Sequence, residues 1–100
     1  MIIAIVDFAT AATDRAAALG HLDAERDRVS AMPGCLAFRV YASREDDGRI
    51  TIVHEWQDKA SWDGYGKSPS FARFSEAIRP LMVGAPVSRR FQAELLETVG

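Results

Sequence analysis

Two runs of residues with strand-like alternation, joined by a short polar turn, constrain the fold of this chain more than any other feature. The runs are LAFRVYAS at 36–43 and RITIVHEW at 49–56, and the turn between them is REDDG. The Asp47-Gly48 pair is typical of a tight hairpin, in which these residue types supply left-handed backbone conformations. The pattern predicts an antiparallel hairpin whose first strand turns Leu36, Phe38 and Val40 to one face and whose second strand turns Ile50, Ile52, His54 and Trp56 to one face.

A strand and a helix are predicted before the hairpin. Residues 2–8 are apolar and β-branched, which favours a buried strand. Residues 13–32 are predicted to form a helix capped by Thr13 or Asp14, whose inner face is spaced by threes and fours and comprises Ala18, Leu19, Leu22, Val29 and Met32. His21 and Glu25 lie four positions apart and are assigned to the side of this helix opposite its inner face, so we expect His21 to face solvent.

Two helices and a last strand are predicted after the hairpin. Asp58 can cap a short helix over 59–65, and Ser68 followed by Pro69 is typical of the start of another helix. The inner stripe of that second helix is predicted to be Phe71, Phe74, Ile78 and Leu81. The last strand is predicted over 87–95, where apolar and polar residues alternate.

The order strand, helix, strand, strand, helix, strand predicts an α+β fold of the ferredoxin-like βαββαβ type. In this fold a four-stranded antiparallel sheet carries its helices on one face. One hundred residues fit a single domain, 1–100. Residues such as Tyr41 and Val53 would then lie on the sheet face away from the helices, alongside Ala37 and Thr51. Because so small a domain should not leave such a face bare, we expect a second copy to cover it as a homodimer.

The charge pattern excludes several classes of partner. The formal net charge is −2 with both signs interspersed, so we expect no nucleic-acid partner and no anionic membrane partner. No stretch approaches the ~20 apolar residues that span a bilayer, and the apolar start is too short for a signal peptide, so a cytoplasmic location is expected. Arg89 or Arg90 is expected to pair with Glu55 or Glu94 across the sheet.

No motif for a metal or cofactor is present in the sequence. Cys35 is the single cysteine, so no intramolecular disulfide and no cysteine pair for a metal can form. The two histidines, His21 and His54, lie 33 positions apart, and no glycine-rich phosphate loop occurs. We therefore expect no metal site and no bound cofactor.

The segment MPGCLAFRVYASREDDGRITIVHEWQDKASWDGYGKSPSFARF resembles the antibiotic biosynthesis monooxygenase family. The matching features are the Pro33-Gly34 turn, the hairpin, Glu55-Trp56 at the end of the third strand, the short aromatic helix, and Ser68-Pro69 before Phe71. The resemblance implies a dimeric α+β barrel with a pocket between each sheet and its own helices. It also implies a range of activities, from cofactor-independent oxidation of quinol-type compounds to haem degradation and isomerisation, among which the fold does not choose.

The chain departs from the family at several functional positions. Many members carry histidine where this chain has Tyr65 and Ser70. The haem-degrading branch carries an asparagine, a tryptophan and a histidine where this chain has Asp7, Tyr65 and Ser75. Because neither helix after the third strand carries a histidine to bind haem iron, we do not expect haem degradation.

Three residues are predicted to be catalytic. His54 is expected on the helix-facing side of its strand, where an imidazole that titrates near neutrality could act as a base. Asp7 ends the first strand and is predicted to orient His54 or to act as a base itself. Tyr65 is predicted to donate its hydroxyl to a developing oxyanion. Each has a structural alternative: a hydrogen-bonded core histidine, an exposed strand-end carboxylate, and a packed core tyrosine.

The predicted substrate-binding residues are Trp56, Trp62, Phe74 and Ser70. Flat aromatic walls suit a planar ligand, and Ser70 is included because the resemblance places it at the position of a family histidine. The predicted function is a cofactor-independent monooxygenase-like enzyme acting on a small aromatic or quinol-type metabolite. The alternatives are a non-catalytic dimeric module that binds a small molecule, and an isomerase or cyclase that uses the same pocket.

Overall fold

The chain forms strands and helices in the predicted order. The computed structural model describes residues 1–100, and its elements are β1 (Ile2–Ala9), α1 (Arg15–Val29), β2 (Cys35–Ala42), β3 (Arg49–Trp56), α2 (Lys59–Gly66), α3 (Pro69–Ile78) and β4 (Val87–Gln92). Short 3₁₀ turns precede α1 and follow α3. The last strand is therefore shorter than predicted, because it ends at Gln92 rather than at residue 95.

The four strands form one antiparallel sheet with the order β2-β3-β1-β4. β1 pairs with β3 along its whole length and with β4 on its other edge, while β2 and β3 form the predicted hairpin. This order is that of the ferredoxin-like fold, and the predicted fold class is confirmed. No helix is long and apolar enough to cross a membrane.

The core lies between the sheet and the helices. The predicted alternation of β3 is confirmed, since its inner residues Ile50, Ile52, His54 and Trp56 are all buried. On α1 the buried apolar residues are Ala18, Leu22 and Val29. Burying one such large apolar side chain contributes roughly 1.5–3 kcal/mol to stability, so this layer holds α1 against the sheet.

The hairpin turn differs from the prediction. Positive φ angles occur only at Gly34 and Gly84, so the Asp47-Gly48 pair does not adopt left-handed conformations. Gly48 is instead required by a close backbone approach, because a Cβ there would lie 2.3 Å from the carbonyl oxygen of Thr10. The Thr10 amide donates to the Gly48 carbonyl at 2.7 Å, which ties the turn to the end of β1.

The inner face of β2 also differs from the prediction at one residue. A bulge between Cys35 and Ala37 shifts the register of β2 against β3. Leu36 is therefore 56% exposed instead of facing the core, and Cys35 packs against the core in its place. Beyond the bulge the predicted alternation holds, and Phe38 lies opposite His54 on the inner face.

The ends of α2 and α3 form as predicted. Asp58 accepts a hydrogen bond from the Ser61 amide at 2.8 Å and so caps α2. Ser68 accepts from the Phe71 amide at 3.1 Å, with Pro69 at the first turn of α3. These caps fix the residues at which the two helices begin.

Candidate active site

A cavity of about 770 Å³ lies between the sheet and the helices α2 and α3. Its apolar walls include Phe8, Phe38 and Ile52 from the sheet and Trp62, Phe74 and Ile78 from the helices. The segment from Met82 to Ser88, which leads into β4, lines another side. Aromatic walls of this kind suit a flat apolar ligand.

His54 is the polar side chain that β3 places against this cavity. It lies near the end of β3, lines the cavity and is only 4% exposed. Its ring packs edge-on against Phe38, with centroids 5.2 Å apart, and against Trp62 at 5.0 Å. The imidazole is therefore held by aromatic rings on two sides.

A hydrogen bond from Trp56 fixes the tautomer of His54. The indole Nε1–H of Trp56 donates to Nδ1 of His54 at 3.0 Å. Because indole is a donor only, Nδ1 must be unprotonated, and in a neutral ring the proton then resides on Nε2. Nε2 makes no hydrogen bond within the protein. Because every fully buried side-chain nitrogen or oxygen has a hydrogen-bond partner, Nε2 itself is not fully buried. Nε2–H is therefore accessible from the cavity that His54 lines.

The charge state of His54 agrees with this geometry. Burial, and to a smaller extent the positive charge of Arg90, lowers the pKa of His54 from 6.5 to about 4. The ring is therefore neutral at pH 7 and presents an N–H to the cavity rather than a lone pair. This geometry does not suit the predicted role of His54 as a base.

Tyr65 lies beside the cavity, but its hydroxyl is already engaged. The hydroxyl donates to Oε2 of Glu25 at 2.6 Å, and the ring stacks on Trp56 with centroids 5.3 Å apart. Burial and the neighbouring Glu25 carboxylate raise the pKa of Tyr65. The aromatic ring can contact a ligand, but the hydroxyl hydrogen predicted to stabilise an oxyanion is bound to Glu25.

The placement of Glu25 on the side of α1 opposite its inner face is wrong, because its side chain is fully buried. Its Oε1 accepts from the Ser70 hydroxyl at 2.8 Å and from Arg28 at 3.3 Å. The signal was present in the sequence: Ala18, Leu22, Glu25 and Val29 follow the spacing of an inner helical stripe. Glu25 thus connects α1 to α2 and α3, and Ser70 supports this network without lining the cavity.

The predicted pairing of Asp7 with His54 is wrong, because the two side chains lie on opposite faces of the sheet. Asp7 is opposite Thr51 in the β1–β3 register and accepts a hydrogen bond from its hydroxyl. Arg89 lies 3.8 Å from the other carboxylate oxygen of Asp7. Alternate residues of a strand face opposite sides, so Asp7 shares the outer face with Thr51, whereas His54 faces the helices.

The remaining predicted residues divide between the wall of the cavity and the layer behind it. Trp62 and Phe74 line the cavity. Trp56 is fully buried and does not line it, so Trp56 can act on a ligand only through His54.

Arg90 was expected to pair with a carboxylate, but it takes another position. Glu55 pairs with Arg39 at 2.9 Å instead. The Arg90 guanidinium carbon lies 5.3 Å above the ring of Trp62, and its Nε donates to Ser88 at 3.3 Å. Arg90 lines the cavity, because the β1–β4 register places it beside the buried Ala4 on the side of the sheet that faces the helices. This role was missed from the sequence because Arg90 was considered only as an ion-pair partner.

The fold and the cavity define the class of protein: a ferredoxin-like α+β domain with an aromatic cavity between its sheet and helices. The family model for antibiotic biosynthesis monooxygenases matches residues 1–77. The chain therefore belongs to the antibiotic biosynthesis monooxygenase family, as the sequence resemblance indicated. No curated protein sequence matches the chain.

Solved structures with the same fold confirm the architecture at low sequence identity. A protein of Deinococcus radiodurans that carries the same family name aligns over 100% of both chains with 18% identity and a TM-score of 0.91. Rv0793 from Mycobacterium tuberculosis aligns over 98% of both chains with 20% identity and a TM-score of 0.86. A conserved protein of unknown function from Bacteroides thetaiotaomicron covers 90% of this chain and 94% of its own, with 20% identity and a TM-score of 0.84.

Proposed function

We propose that this protein is a cofactor-independent monooxygenase-like enzyme that acts on a small aromatic or quinol-type compound in the cavity between sheet and helices. Family membership supports the monooxygenase-like role. The observation that carries the proposal is the unpartnered Nε2–H of His54, which lies among the aromatic side chains that line the cavity. A polar donor in such surroundings is suited to hold an oxygen atom whose negative charge grows during reaction.

In the proposed mechanism the substrate supplies the electrons and the protein stabilises its ionised form. A phenol or anthrone bound against His54 and Arg90 would lose a proton to solvent more readily, because both groups favour the resulting anion. The electron-rich anion then reacts directly with oxygen. For an anthrone, the methylene carbon loses both hydrogens, one atom of O₂ becomes the new carbonyl oxygen, and the other leaves as water.

The proposal includes a homodimer that forms through the sheet face opposite the helices. On that face Ile5 of β1 lies beside Val53 of β3. Tyr41 and Phe91, near the two edges of the same face, are 51% and 45% exposed. Two such faces packed together would remove these apolar side chains from water, which favours association.

A non-catalytic module that binds a small molecule is the second candidate. One observation favours it: the cavity holds no free base at neutral pH. His54 presents an N–H, the Tyr65 hydroxyl is bonded to Glu25, and the Asp63 carboxylate accepts from Lys59 at 2.8 Å. The isomerase or cyclase alternative would also have to pass a carbon-bound proton to solvent, and no contact in the cavity favours it over the oxidation.

Oxygen uptake decides between the enzyme and the binding module. Wild-type protein and His54→Ala would be assayed with a panel of anthrones and hydroquinones, with ¹⁸O₂ to trace the incorporated atom. We expect wild-type turnover with one labelled oxygen in the product and a strong loss in His54→Ala. Absence of turnover on every panel member, with ligand binding retained, would support the binding module.

A further inference from the structure

The proposed function uses one cation of the cavity, Arg90, but not the pattern that the basic side chains around the cavity form together. Three basic side chains line it: Lys67 after α2, Arg79 at the end of α3, and Arg90 on β4. None of them lies within ion-pair distance of a carboxylate, whereas six of the nine other lysines and arginines do. Three of the six cations without a carboxylate partner thus lie around this one opening.

Negative charge at the same opening is neutralised. Asp63 supplies the carboxylate that lines the cavity, and its Oδ2 accepts a hydrogen bond from Lys59 Nζ at 2.8 Å. Cations without partners near an apolar surface attract anions more strongly than cations whose charge is balanced by a neighbour. The rim of the cavity therefore carries a net positive charge.

Two donors converge beside one aromatic ring. The ring centroid of Trp62 lies 5.0 Å from that of His54 and 5.3 Å from the guanidinium carbon of Arg90. His54 is more than nine-tenths buried and its Nε2–H has no partner in the protein. Arg90 is held by the face of Trp62 and by Ser88 Oγ, so less side-chain freedom is lost when it binds an anion.

We propose that the cavity binds an aromatic carboxylic acid or a similar organic anion, whose ring lies against Trp62 and Phe74 and whose ionised oxygens are bound by His54 Nε2–H and Arg90. Lys67 and Arg79 add attraction at the rim. This inference rests on the proposed function for its site and deepens it by naming the ligand class: a flat apolar body with a permanent negative charge.

A matched pair of probes tests the charge without requiring turnover. Binding of 2-naphthoate and of neutral 2-naphthamide, which have nearly the same shape, would be measured by calorimetry at pH 7.5 in low salt and in 0.5 M NaCl. Because hydrogen bonds to a charged group are stronger than neutral ones, we expect 2-naphthoate to bind roughly ten-fold more tightly in low salt. The preference should shrink in high salt, because the rim cations are exposed and screened.

Two arginine variants locate the effect. Arg90→Gln should remove most of the preference for 2-naphthoate. Arg73→Gln is the control, because Arg73 is an exposed, unpaired arginine of α3 that does not line the cavity, and it should leave the preference intact.

Three results would overturn the inference: equal affinity for the two probes, an equal loss in both variants, or no detectable binding of 2-naphthoate. Each is distinguishable from failure of the proposed function, which shows as absent oxygen uptake. A protein that prefers 2-naphthoate but oxidises nothing would retain the anion site and lose the enzyme proposal.

Discussion

At the scale of single residues, the site depends on one hydrogen bond between neighbours on the same strand face. The indole of Trp56 determines which nitrogen of His54 carries the proton, and thereby makes the cavity side of the ring a donor. Sequence reasoning identified both residues and their common face. It assigned a base because an isolated imidazole titrates near neutrality, whereas burial and the donor behind it are properties of the packed structure.

The tautomer can be observed directly by ¹⁵N NMR of the His54 ring. We expect a neutral imidazole at pH 7 with Nδ1 unprotonated and Nε2 protonated. Trp56→Phe removes the donor, so the two tautomers should become mixed, while Trp62→Phe, which removes a ring contact but no hydrogen bond to His54, should leave the spectrum of a single tautomer. A protonated Nδ1 in the wild type would contradict the assignment.

The lowered pKa of His54 also predicts an acid sensitivity of folding. The unfolded chain binds a proton at His54 below pH 6.5, whereas the folded state resists protonation down to about pH 4, so stability falls as pH falls through this window. We expect this residue to remove about 2 kcal/mol from the free energy of unfolding between pH 7.5 and pH 5.0.

Urea unfolding of wild type, His54→Gln and His21→Gln at the two pH values isolates this contribution. His54→Gln should lose about 2 kcal/mol less than wild type over the interval. His21 is exposed, so His21→Gln should behave like wild type. Parallel losses in all three proteins would show that His54 is not held neutral by the fold.

At the scale of elements, the strands and the caps of α2 and α3 were predictable, whereas Asp14 at the start of α1 makes no capping hydrogen bond. The alternation of apolar and polar residues predicted β3, and the capping residues predicted where α2 and α3 begin. Both signals depend only on residues a few positions apart. The bulge that turns Leu36 outward and the burial of Glu25 depend on partners far along the chain, such as Tyr65 and Ser70. A short-range pattern cannot report such partners.

The glycines near α2 give a test at this scale. Gly64 lies within α2 with nothing near its missing Cβ, so Gly64→Ala should raise the free energy of unfolding by about 0.5–1 kcal/mol through helix propensity. Gly34 has φ of 86° and a Cβ there would lie 2.1 Å from Ser61 Oγ. Gly34→Ala should therefore lower stability by more than about 1 kcal/mol. Chemical denaturation measures both, and a loss in Gly64→Ala would contradict the packing of α2.

At the scale of the whole molecule, the sheet separates two surfaces with different proposed roles. The helix side contains the cavity, and the other side presents Ile5, Val53 and the exposed Tyr41 and Phe91. The sequence indicated both faces because strand alternation assigns side chains to opposite sides. The cavity role of Arg90 was missed because this residue was considered only as an ion-pair partner, whereas its register opposite Ala4 turns it to the helix side.

The proposed homodimer can be tested by solution mass. Light scattering after size-exclusion chromatography should give twice the 11.0 kDa chain mass. Val53→Glu places a charge in the middle of the proposed interface and should give the monomer mass, because an unpaired charge is costly to bury. Ala72→Glu, which adds the same charge on the exposed side of α3, should remain dimeric. A monomeric wild type would remove the dimer from the account.

The donor role of His54 in the cavity is the central claim, and the oxidation rates of His54→Gln and His54→Phe test it most directly. Glutamine can place an N–H near the position of imidazole Nε2 but is not a base, whereas phenylalanine fills the space without a donor. On the panel compound that wild type turns over fastest, we expect His54→Phe to lose about 10²-fold in kcat and His54→Gln to stay within roughly ten-fold of wild type. Equal losses in both variants would indicate a base, and no turnover by wild type or no loss in either variant would contradict the account.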